Sequence, residues 1–339
     1  MKALYYKGPG KLQWLETDAP NIEANTDVIV KPLAVATCDL DWEIVSGRTP
    51  FKGAFILGHE FIGEVIGLGS EVNKFQLCDR VSIAFQPSCG TCRPCEGGHS
   101  SACRKVPATS MFGVGEISGD WGGAFAEQVR IPFADNMLIG IPGHLPPWWF
   151  CSSSDNILDA YRCVANLINS DKTSEVLIFG NYDSIPLYII PLALSLGAGK
   201  VTFVTKDKSA ADNAKRLGAE VKLVEQWPSR FRLCDVTICA VQSPLALHAA
   251  IRSTRAGGHC TLTSIFSKDV ALPLREMYMR GINFHTGRVN GAHNHKTGIE
   301  LIASGLIKPM EVDTKLVKFD ELIPALLNRT SAKLIATIL

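Results

Sequence analysis

The hydrophobic pattern divides the chain into a first third of short strands and a following part in which strands and helices alternate. In the first third, apolar runs that alternate or are β-branched stand between turn residues, which predicts an all-β, barrel-like domain. The predicted strands are 27–36, 61–67, 79–85 and 124–131.

The pattern changes after Pro146 and Pro147. Apolar residues at helical spacing over 155–168 predict a helix whose start Ser154 or Asp155 can cap. Beyond it, the predicted strands are 176–179, 201–204, 236–239 and 258–264, and the predicted helices are the run that ends at 196, 208–217 and 245–253. This alternation predicts parallel strands with crossover helices, the doubly wound architecture that binds dinucleotides. The tail, 287–339, returns to helix and short strand and can fold back on the first domain.

Length and composition are those of a two-domain globular protein. The chain has 339 residues, and its 34 basic and 33 acidic residues give a net charge of +1. Because no basic stripe stands out, neither nucleic acid nor an anionic membrane is expected as a partner. No export signal is recognisable, and the longest apolar run, 185–196, is too short to span a bilayer. We therefore expect a soluble cytoplasmic protein with reduced cysteines, several of them small core residues. These core candidates are Cys78, Cys163, Cys234, Cys239 and Cys260.

Four cysteines share one short loop, 89–103, which is rich in Gly, Pro and Ser. They are Cys89, Cys92, Cys95 and Cys103. Zinc binds thiolates tetrahedrally at about 2.3 Å, and Cys-x-x-Cys steps bring neighbouring ligands from one turn. The loop has few apolar residues, so a structural zinc would replace a hydrophobic core and supply about 10–16 kcal/mol. A pair of disulfides, or free thiols in a solvated loop, are the alternatives, but this spacing in an intracellular protein favours a metal.

A second metal site is predicted from three residues on separate segments. A catalytic zinc keeps one coordination position open, so it needs three protein ligands that converge. The candidates are Cys38, which ends a predicted strand, His59, which precedes another, and Asp155, which opens the first long helix. Cys151 competes with Asp155 for the third position, and a helix cap alone would also explain Asp155.

These motifs, in this order, resemble the zinc-dependent medium-chain alcohol dehydrogenase family. The resemblance runs nearly end to end and rests on Met1-Lys2-Ala3, the Cys38-x-x-Asp41 turn, Gly58-His59-Glu60 before Gly63-Glu64-Val65, the four-cysteine loop, Gly122-Gly123-Ala124-Phe125-Ala126-Glu127 and Lys333. It implies an α/β protein with two domains. A GroES-like β-barrel catalytic domain would occupy 1–153 and 287–339, and a doubly wound Rossmann-type dinucleotide-binding domain 154–286.

The resemblance also implies roles for individual residues. Cys38, His59 and Asp155 match the catalytic zinc ligands. Asp41 matches a carboxylate that holds His59 through its other ring nitrogen. Glu60 matches an acid that can replace a ligand during exchange. The family's chemistry implies two zinc ions per chain, a small alcohol, aldehyde or ketone as substrate, hydride transfer to or from a nicotinamide, and a homodimer or homotetramer.

Two positions depart from the family pattern. The residue two after Cys38 is usually Ser or Thr and starts a proton relay, but here it is Leu40. Water, Asp159 or His144 could take over that proton. The Gly-x-Gly-x-x-Gly turn is also altered, because Pro186 falls near the last glycine position and Asp183 adds a negative charge. We expect altered dinucleotide binding by the turn residues Gly180, Asn181, Tyr182, Ser184 and Ile185.

The cofactor is predicted from the end of the next strand. An acid there would bind the adenosine ribose of NAD, but the strand ends in Thr205 and Lys206, with Lys208 close behind. A neutral residue flanked by lysines tolerates a 2′-phosphate, which favours NADP over NAD. The family layout brings Arg288 near the cofactor.

Two other functions stay open. A catalytically weakened, zinc-containing relative could act as a binding or interaction protein, as Leu40 and Pro186 suggest. The second alternative function is that of a zinc-free quinone reductase, but such an enzyme would have no use for the four-cysteine loop together with Cys38 and His59.

Overall fold

The computed structural model describes residues 1–168 and 173–337. The chain divides into two compact units. Unit 1 comprises Met1–Leu158, Val289–Gly305 and Thr314–Leu339, and unit 2 comprises Asp159–Arg288 and Leu306–Asp313. The sequence predicts one domain at 1–153 with 287–339 and another at 154–286. Residues 169–172 and 338–339 fall within these predicted domains but lie outside the described residues.

Unit 1 is built mainly from antiparallel strands. Its strands are β1 (Lys2–Tyr6), β2 (Leu12–Glu16), β3 (Val28–Ala36), β4 (Phe55–Ile56), β5 (Glu60–Leu68), β6 (Arg80–Ile83), β7 (Val129–Ile131) and β8 (Leu138–Gly140) and, numbered after the strands of unit 2, β15 (Thr314–Lys318) and β16 (Lys333–Thr337). The larger sheet has the order β15-β16-β3-β5-β6-β8, with β7 on β3, and the smaller sheet has the order β2-β1-β4. The returning strand β16 pairs with β3, so the tail closes the sheet that carries the first half of the chain.

The predicted strands at 27–36, 61–67 and 79–85 are confirmed as β3, β5 and β6. The strand predicted at 124–131 is regular only at β7, with an isolated bridge between Ala126 and Ala3. Residues before β7 instead bond irregularly to other segments, for example Ala124 N–H to the Gly58 carbonyl at 2.8 Å. Gly123, just before this stretch, lies so close to the Ile56 carbonyl that an added Cβ would stand 2.2 Å from it.

Helices occur in both units. In chain order they are α1 (Asp39–Val45), α2 (Arg93–Glu96), α3 (Ala134–Met137), α4 (Asn156–Arg162), α5 (Ser184–Ser195), α6 (Lys208–Arg216), α7 (Pro244–Arg252), α8 (Leu274–Arg280), α9 (Gly291–Ala303) and α10 (Leu322–Leu327). The core of unit 1 contains Leu4, Val30, Phe61, Phe112 and Phe125 among its fully buried side chains.

Helix α4 is shorter than the predicted 155–168. Beyond Arg162 the chain continues in tight turns, such as Cys163 N–H to the Ala160 carbonyl at 3.2 Å, and Asn166 has a φ of 59°. That left-handed conformation cannot continue an α-helix. Ser154 does not cap the helix, since its hydroxyl donates to the Ile83 carbonyl at 3.0 Å.

Unit 2 contains the predicted parallel sheet. Its strands are β9 (Glu175–Gly180), β10 (Lys200–Thr205), β11 (Glu220–Leu223), β12 (Cys234–Ala240), β13 (Thr254–Leu262) and β14 (Asn283–His285), in the order β11-β10-β9-β12-β13-β14. All neighbouring pairs in this sheet are parallel. Helices α5, α6 and α7 are the predicted crossovers, so the doubly wound architecture is confirmed.

The cysteine expectations hold except at one position. Cys163, Cys234, Cys239 and Cys260 are buried. The prediction that Cys78 lies in the core is wrong, because Cys78 is exposed in a left-handed turn with a φ of 68° just before β6. Within 1–168 and 173–337, no helix combines the length and apolarity needed to cross a lipid bilayer.

Candidate metal centres and cofactor site

The first candidate metal centre lies in unit 1, at the ends of three segments. Cys38 follows β3 at the start of α1, His59 directly precedes β5, and Asp155 directly precedes α4. One ligand atom from each of these buried residues lies within 4.8 Å of the other two. The structure therefore brings together three residues that are 117 positions apart from first to last in the sequence.

The turn before His59 requires glycine. Gly58 has a φ of 95°, and an added Cβ would stand 2.9 Å from the ring of Phe125. This turn aims the His59 imidazole between two carboxylates. Its Nε2 lies 3.4 Å from Asp155 Oδ2, and its Nδ1 lies 3.7 Å from Asp41 Oδ1.

Both ring nitrogens of His59 are fully buried and lack a hydrogen-bond partner within the described residues. An unpaired buried polar atom costs free energy, and native structures rarely leave one without a function. A metal ion at Nε2 would satisfy one nitrogen and orient the ring so that the other donates to Asp41. The donor set of thiolate, imidazole and carboxylate is one that zinc accepts, so the residues fit that ion.

The charge balance of this pocket also favours a divalent cation. Asp41, Glu60 and Asp155 are all buried, and the ammonium of Lys333 is buried against Glu60. When ionised, these three carboxylates and one ammonium leave an excess of two negative charges, before Cys38 is counted as a thiolate. Burying unpaired anions costs free energy, so either bound protons or a cation must offset this excess.

The ionisation of His59 and Cys38 reflects the same excess. Burial lowers the pKa of His59, but the carboxylates of Asp41 and Asp155 outweigh it and raise that pKa to about 9. Burial raises the pKa of the Cys38 thiol well above its usual range, and Asp155 and Glu60 raise it further. The negative charge of the pocket thus favours the protonated forms of His59 and Cys38. A metal ion bound there would displace these protons and supply the positive charge instead.

Glu60 is bound on both oxygens by other groups. Its Oε2 contacts the Lys333 ammonium and accepts a hydrogen bond from Ser152 Oγ at 2.7 Å. Its Oε1 accepts the Asn156 N–H at 2.9 Å, which satisfies a free amide at the start of α4. Burial raises the pKa of Glu60 to about 7, and the charge of Lys333 opposes that rise.

Asn156 links this ion pair to the metal ligands. Its Oδ1 lies 2.5 Å from Lys333 Nζ, and its Nδ2 lies 3.2 Å from Cys38 Sγ. Sequence reasoning missed Asn156, because an Asn near a helix start is usually only a cap. Its position directly after Asp155 was the available signal.

Cys151, the rival third ligand, is buried but engaged elsewhere. Its Sγ lies 3.4 Å from the Ala34 carbonyl. It is not one of the three residues whose ligand atoms converge. Burial raises the pKa of its thiol above the usual range, as it does for Cys38, so it is the position of the sulfur that separates Cys151 from the converging residues.

The second candidate metal centre is the four-cysteine loop, also in unit 1. The ligand sulfurs of Cys89, Cys92, Cys95 and Cys103 lie within 4.8 Å of one another, with Cys92 and Cys95 3.5 Å apart. Backbone N–H groups point at these sulfurs, including Cys89 N–H to Cys103 Sγ at 3.3 Å and Arg104 N–H to Cys92 Sγ at 3.5 Å. Such bonds lower the pKa of Cys92 to about 6. The cluster therefore fits a tetrahedral, closed zinc site.

Side chains outside the loop hold it in place. Gly90 has a φ of 75°, and an added Cβ would stand 2.6 Å from Asn136 Oδ1. Asn290, next to α9, accepts hydrogen bonds at its Oδ1 from the Ser101 N–H at 3.1 Å and the Ser101 hydroxyl at 2.8 Å. The returning tail thus supports the loop within unit 1.

The turn after β9 in unit 2 keeps one glycine of the dinucleotide motif. An added Cβ on Gly180 would stand 2.5 Å from the Phe203 ring and 2.9 Å from Pro186, so packing requires glycine. Tyr182 takes the place of the second glycine, and its hydroxyl contacts Asp313. Pro186 lies in the first turn of α5 and has no N–H to offer a phosphate. Because Gly180 has no side chain, a pyrophosphate could approach the backbone there. The Tyr182 side chain and the missing N–H of Pro186 change the other part of the surface that a pyrophosphate would contact.

Asp207, an acid that sequence reasoning missed, lies between β10 and α6. Thr205 is buried and accepts the Asp207 N–H at 3.1 Å, and Asp207 caps α6 by accepting the Ala210 N–H at 2.8 Å. The cap rule applied to the predicted helix at 208 would have found it. Lys206 Nζ lies 5.5 Å from the centre of the Trp227 ring, and Arg288 is exposed.

The position of the expected proton relay is apolar. Leu40 is half-buried and packs against the core of unit 1. Asp159 pairs with Arg162, and His144 is exposed.

A family model, the alcohol dehydrogenase GroES-like domain, matches residues 24–143. A curated relative is the zinc-type alcohol dehydrogenase-like protein C1198.01 of Schizosaccharomyces pombe. It is 27% identical over 368 aligned residues, which cover 95% of this chain and 86% of that protein.

Two solved structures share the fold over nearly the whole chain. The alcohol dehydrogenase TADH from Thermus sp. ATN1 has a TM-score of 0.90 at 23% identity and covers 99% of each chain. A short chain alcohol dehydrogenase from E. coli CFT073, determined with the cofactor NADH, has a TM-score of 0.83 at 21% identity, covering 100% of this chain and 99% of that one.

Fold and donor sets define a class of α/β protein in which a GroES-like unit carries two candidate zinc centres and a doubly wound parallel sheet follows. Residues 24–143 match the alcohol dehydrogenase GroES-like domain, and 95% of the chain is similar to a zinc-type alcohol dehydrogenase-like protein, which supports a relationship to the zinc-dependent medium-chain alcohol dehydrogenase family.

Proposed function

We propose that this protein is a zinc-dependent oxidoreductase that transfers a hydride between a small alcohol, or the matching aldehyde or ketone, and a nicotinamide cofactor. The observation that carries the proposal is the convergence of Cys38, His59 and Asp155 in a buried, anionic pocket. Three ligands leave one coordination position for a substrate oxygen. Zinc, when bound there, supplies Lewis-acid stabilisation of negative charge on that oxygen.

The surrounding residues position this centre. Asp41 accepts the Cys38 N–H at 2.8 Å, and its Oδ1 lies 3.7 Å from His59 Nδ1, where it would accept a hydrogen bond from the ring once a metal held Nε2. Glu60 would act as an alternative ligand only after giving up a bond to Lys333, Ser152 or Asn156. Cys89, Cys92, Cys95 and Cys103 would hold a second, structural zinc.

Unit 2 would hold the nicotinamide cofactor, which supplies the hydride acceptor or donor when bound. The proposed contacts are the turn residues Gly180, Asn181, Tyr182, Ser184 and Ile185, with Thr205 and Lys206 at the end of β10 and Arg288 on the returning chain. We propose NADP over NAD because Lys206 and Lys208 flank the position where an adenosine 2′-phosphate would bind. Asp207 opposes this preference by its charge, but its carboxylate is occupied in capping α6.

The proton released from an alcohol needs a path that does not use Leu40. Since Asp159 is paired with Arg162, we propose water as the carrier. We also propose a cytoplasmic homodimer or homotetramer, because both candidate zinc centres need reduced thiols and because the family commonly assembles through the nucleotide-binding domain.

Metal analysis combined with cofactor titration tests the proposed function. Protein with two zinc ions per chain should bind NADPH more tightly than NADH in calorimetric titrations and should reduce NADP in the presence of small alcohols. Lys206→Glu should reduce the preference for NADPH, and Lys31→Glu, an exposed lysine on β3 in unit 1, serves as the matched control. Zinc-loaded protein that neither binds nor turns over a nicotinamide would refute the proposal and favour a non-catalytic relative.

A further inference from the structure

We infer that Asn156 is a positioning residue for the first metal centre, where its side-chain amide donates a hydrogen bond to the sulfur of Cys38 and fixes that sulfur as a ligand. The inference rests on the proposed catalytic zinc site. It adds a residue that neither the motifs nor the family resemblance pointed to.

The geometry places the amide directly against the ligand atom. Asn156 Nδ2 lies 3.2 Å from Cys38 Sγ, and Asn156 is fully buried. Cys38 is 7% exposed, so water cannot readily replace this donor. A buried thiolate needs hydrogen bonds to offset its lost hydration, and a bond to a charged acceptor is stronger than one between neutral groups.

Lys333 determines which end of the amide faces the sulfur. An ammonium has donors only, so the group 2.5 Å from Lys333 Nζ must be the amide oxygen. The NH2 end is then turned towards Cys38. Glu60 fixes both partners, because it contacts Lys333 and also accepts the Asn156 backbone N–H at 2.9 Å.

This arrangement gives the Glu60–Lys333 ion pair a function beyond stability. The pair holds Asn156 at its backbone and at its side-chain oxygen, and Asn156 in turn holds the sulfur. Outer residues that orient a ligand commonly change metal affinity about 10–100-fold when they are removed.

Cobalt substitution tests the inference. The first centre of the full-length protein would be loaded with Co²⁺ while zinc is kept in the four-cysteine loop, and metal analysis would verify one of each per chain. We expect Asn156→Leu to move the thiolate-to-cobalt charge-transfer band to longer wavelength, because loss of the N–H bond raises the energy of the sulfur lone pairs. Competition with a chelator should show metal affinity reduced about 10–100-fold.

Two further variants separate the sulfur contact from general disruption. Asn156→Asp keeps an acceptor for Lys333 but removes the donor to Cys38, so it should also move the charge-transfer band to longer wavelength, and it provides the test if the leucine variant does not fold. Ser152→Ala removes a hydrogen bond to the same Glu60 and should leave the band in place.

The outcomes distinguish this inference from the proposed function. If both Asn156 variants keep the wild-type band and affinity, or if Ser152→Ala shifts the band equally, Asn156 does not act through the sulfur. If wild-type protein takes up no cobalt beyond the amount bound by Cys38→Ser, the catalytic metal site itself is wrong.

Discussion

At the residue scale, Asp155 is the proposed third ligand of the first candidate centre. It converges with Cys38 and His59, and its Oδ2 lies 3.4 Å from His59 Nε2. Cys151 lies four residues earlier and is equally buried, but its sulfur lies against the Ala34 carbonyl. The two residues therefore form a matched pair for testing ligand identity.

We expect Asp155→Ala to lower zinc affinity at this centre by more than about 100-fold, since it removes a ligand and one of the negative charges that favour a cation. Cys151→Ser should keep two zinc ions per chain. Elemental analysis after dialysis against a buffered zinc concentration measures both. Loss of one zinc in Cys151→Ser, with two retained in Asp155→Ala, would make Cys151 the ligand.

His295 on α9 is a second residue whose environment has a measurable consequence. It is fully buried, and its Nε2 lies 2.8 Å from Ser82 Oγ and 3.3 Å from Ser153 Oγ. Burial lowers its pKa from 6.5 to about 3. Between these values the unfolded chain binds a proton that the folded chain does not, so this residue destabilises the protein as pH falls below 6.5.

His295→Gln should remove that pH dependence. Between about pH 7 and about pH 5, the wild type should lose about 2 kcal/mol more unfolding free energy than the variant. Urea denaturation at several pH values measures the difference. His293→Gln, at an exposed position on the same helix, should behave like the wild type, and equal slopes in all three proteins would contradict the assignment.

At the element scale, α5 contains two prolines in different positions. Pro186 lies in the first turn, where its missing N–H has no intrahelical partner to lose. Pro191 lies inside the helix, where a proline removes a hydrogen bond and costs about 3 kcal/mol unless the helix adapts.

Pro191→Ala should therefore raise the unfolding free energy by about 1–2 kcal/mol, after part of the gain is offset by the greater freedom of the unfolded chain. Pro186→Ala should lower it by up to about 1 kcal/mol for the same entropic reason. Denaturant titrations of both variants decide the matter. If Pro191→Ala does not raise the unfolding free energy relative to Pro186→Ala, the helix has adapted fully to Pro191.

The four-cysteine loop is a second element, and its folded conformation should depend mainly on metal binding. Cys89, Cys95 and Cys103 form its small buried cluster, and Cys92, Val106 and Phe133 pack against it. Little else in the loop is apolar, so metal binding should provide most of its folding free energy.

Cys95→Ser should lose one zinc per chain and make the loop sensitive to proteolysis, with a loss of stability of at least about 3 kcal/mol. Cys78→Ser, at an exposed cysteine outside the cluster, should retain both zinc ions and wild-type stability. Mass mapping of protease cuts after metal analysis measures both effects. Unchanged metal content and protection in Cys95→Ser would mean that the loop folds without zinc.

At the scale of the whole molecule, the two centres should lose metal in sequence. The first offers three ligands of mixed type and an open position, whereas the second encloses its ion with four thiolates. A chelator should therefore remove one zinc with loss of activity while the fold persists, and removal of the second should be accompanied by unfolding. Activity, zinc release and circular dichroism measured together would test the order, and simultaneous loss of both ions would contradict it.

Much of this fold follows from local sequence. Strands β3, β5 and β6 and the alternating elements of unit 2 have apolar periods that do not depend on distant contacts. The exceptions have tertiary causes. The strand predicted at 124–131 is regular only at β7 because Ala124 and Phe125 bond instead to Gly58 and Leu57, and α4 ends early at turns before Asn166.

The site was predictable to the extent that its chemistry lies in local motifs. Cys38, His59 and the four cysteines stand in recognisable spacings, and Asp207 stands at a helix start that the cap rule describes. The contacts of Asn156 and Lys333 follow from no local spacing, although Lys333 belongs to the family resemblance and Asn156 directly follows Asp155. Their roles arise because β16 pairs with β3 and brings Lys333 to Asn156 and Glu60.

The sequence by itself determined the order of elements, the metal-binding spacings and the loss of two family glycines, because periodicity and spacing are properties of the chain. Only the tertiary structure decided between Asp155 and Cys151 as the residue facing His59, and only it revealed the buried path from Glu60 through Lys333 and Asn156 to Cys38. The physical reason is that burial and charge balance depend on segments more than a hundred residues apart, whose proximity no local pattern encodes.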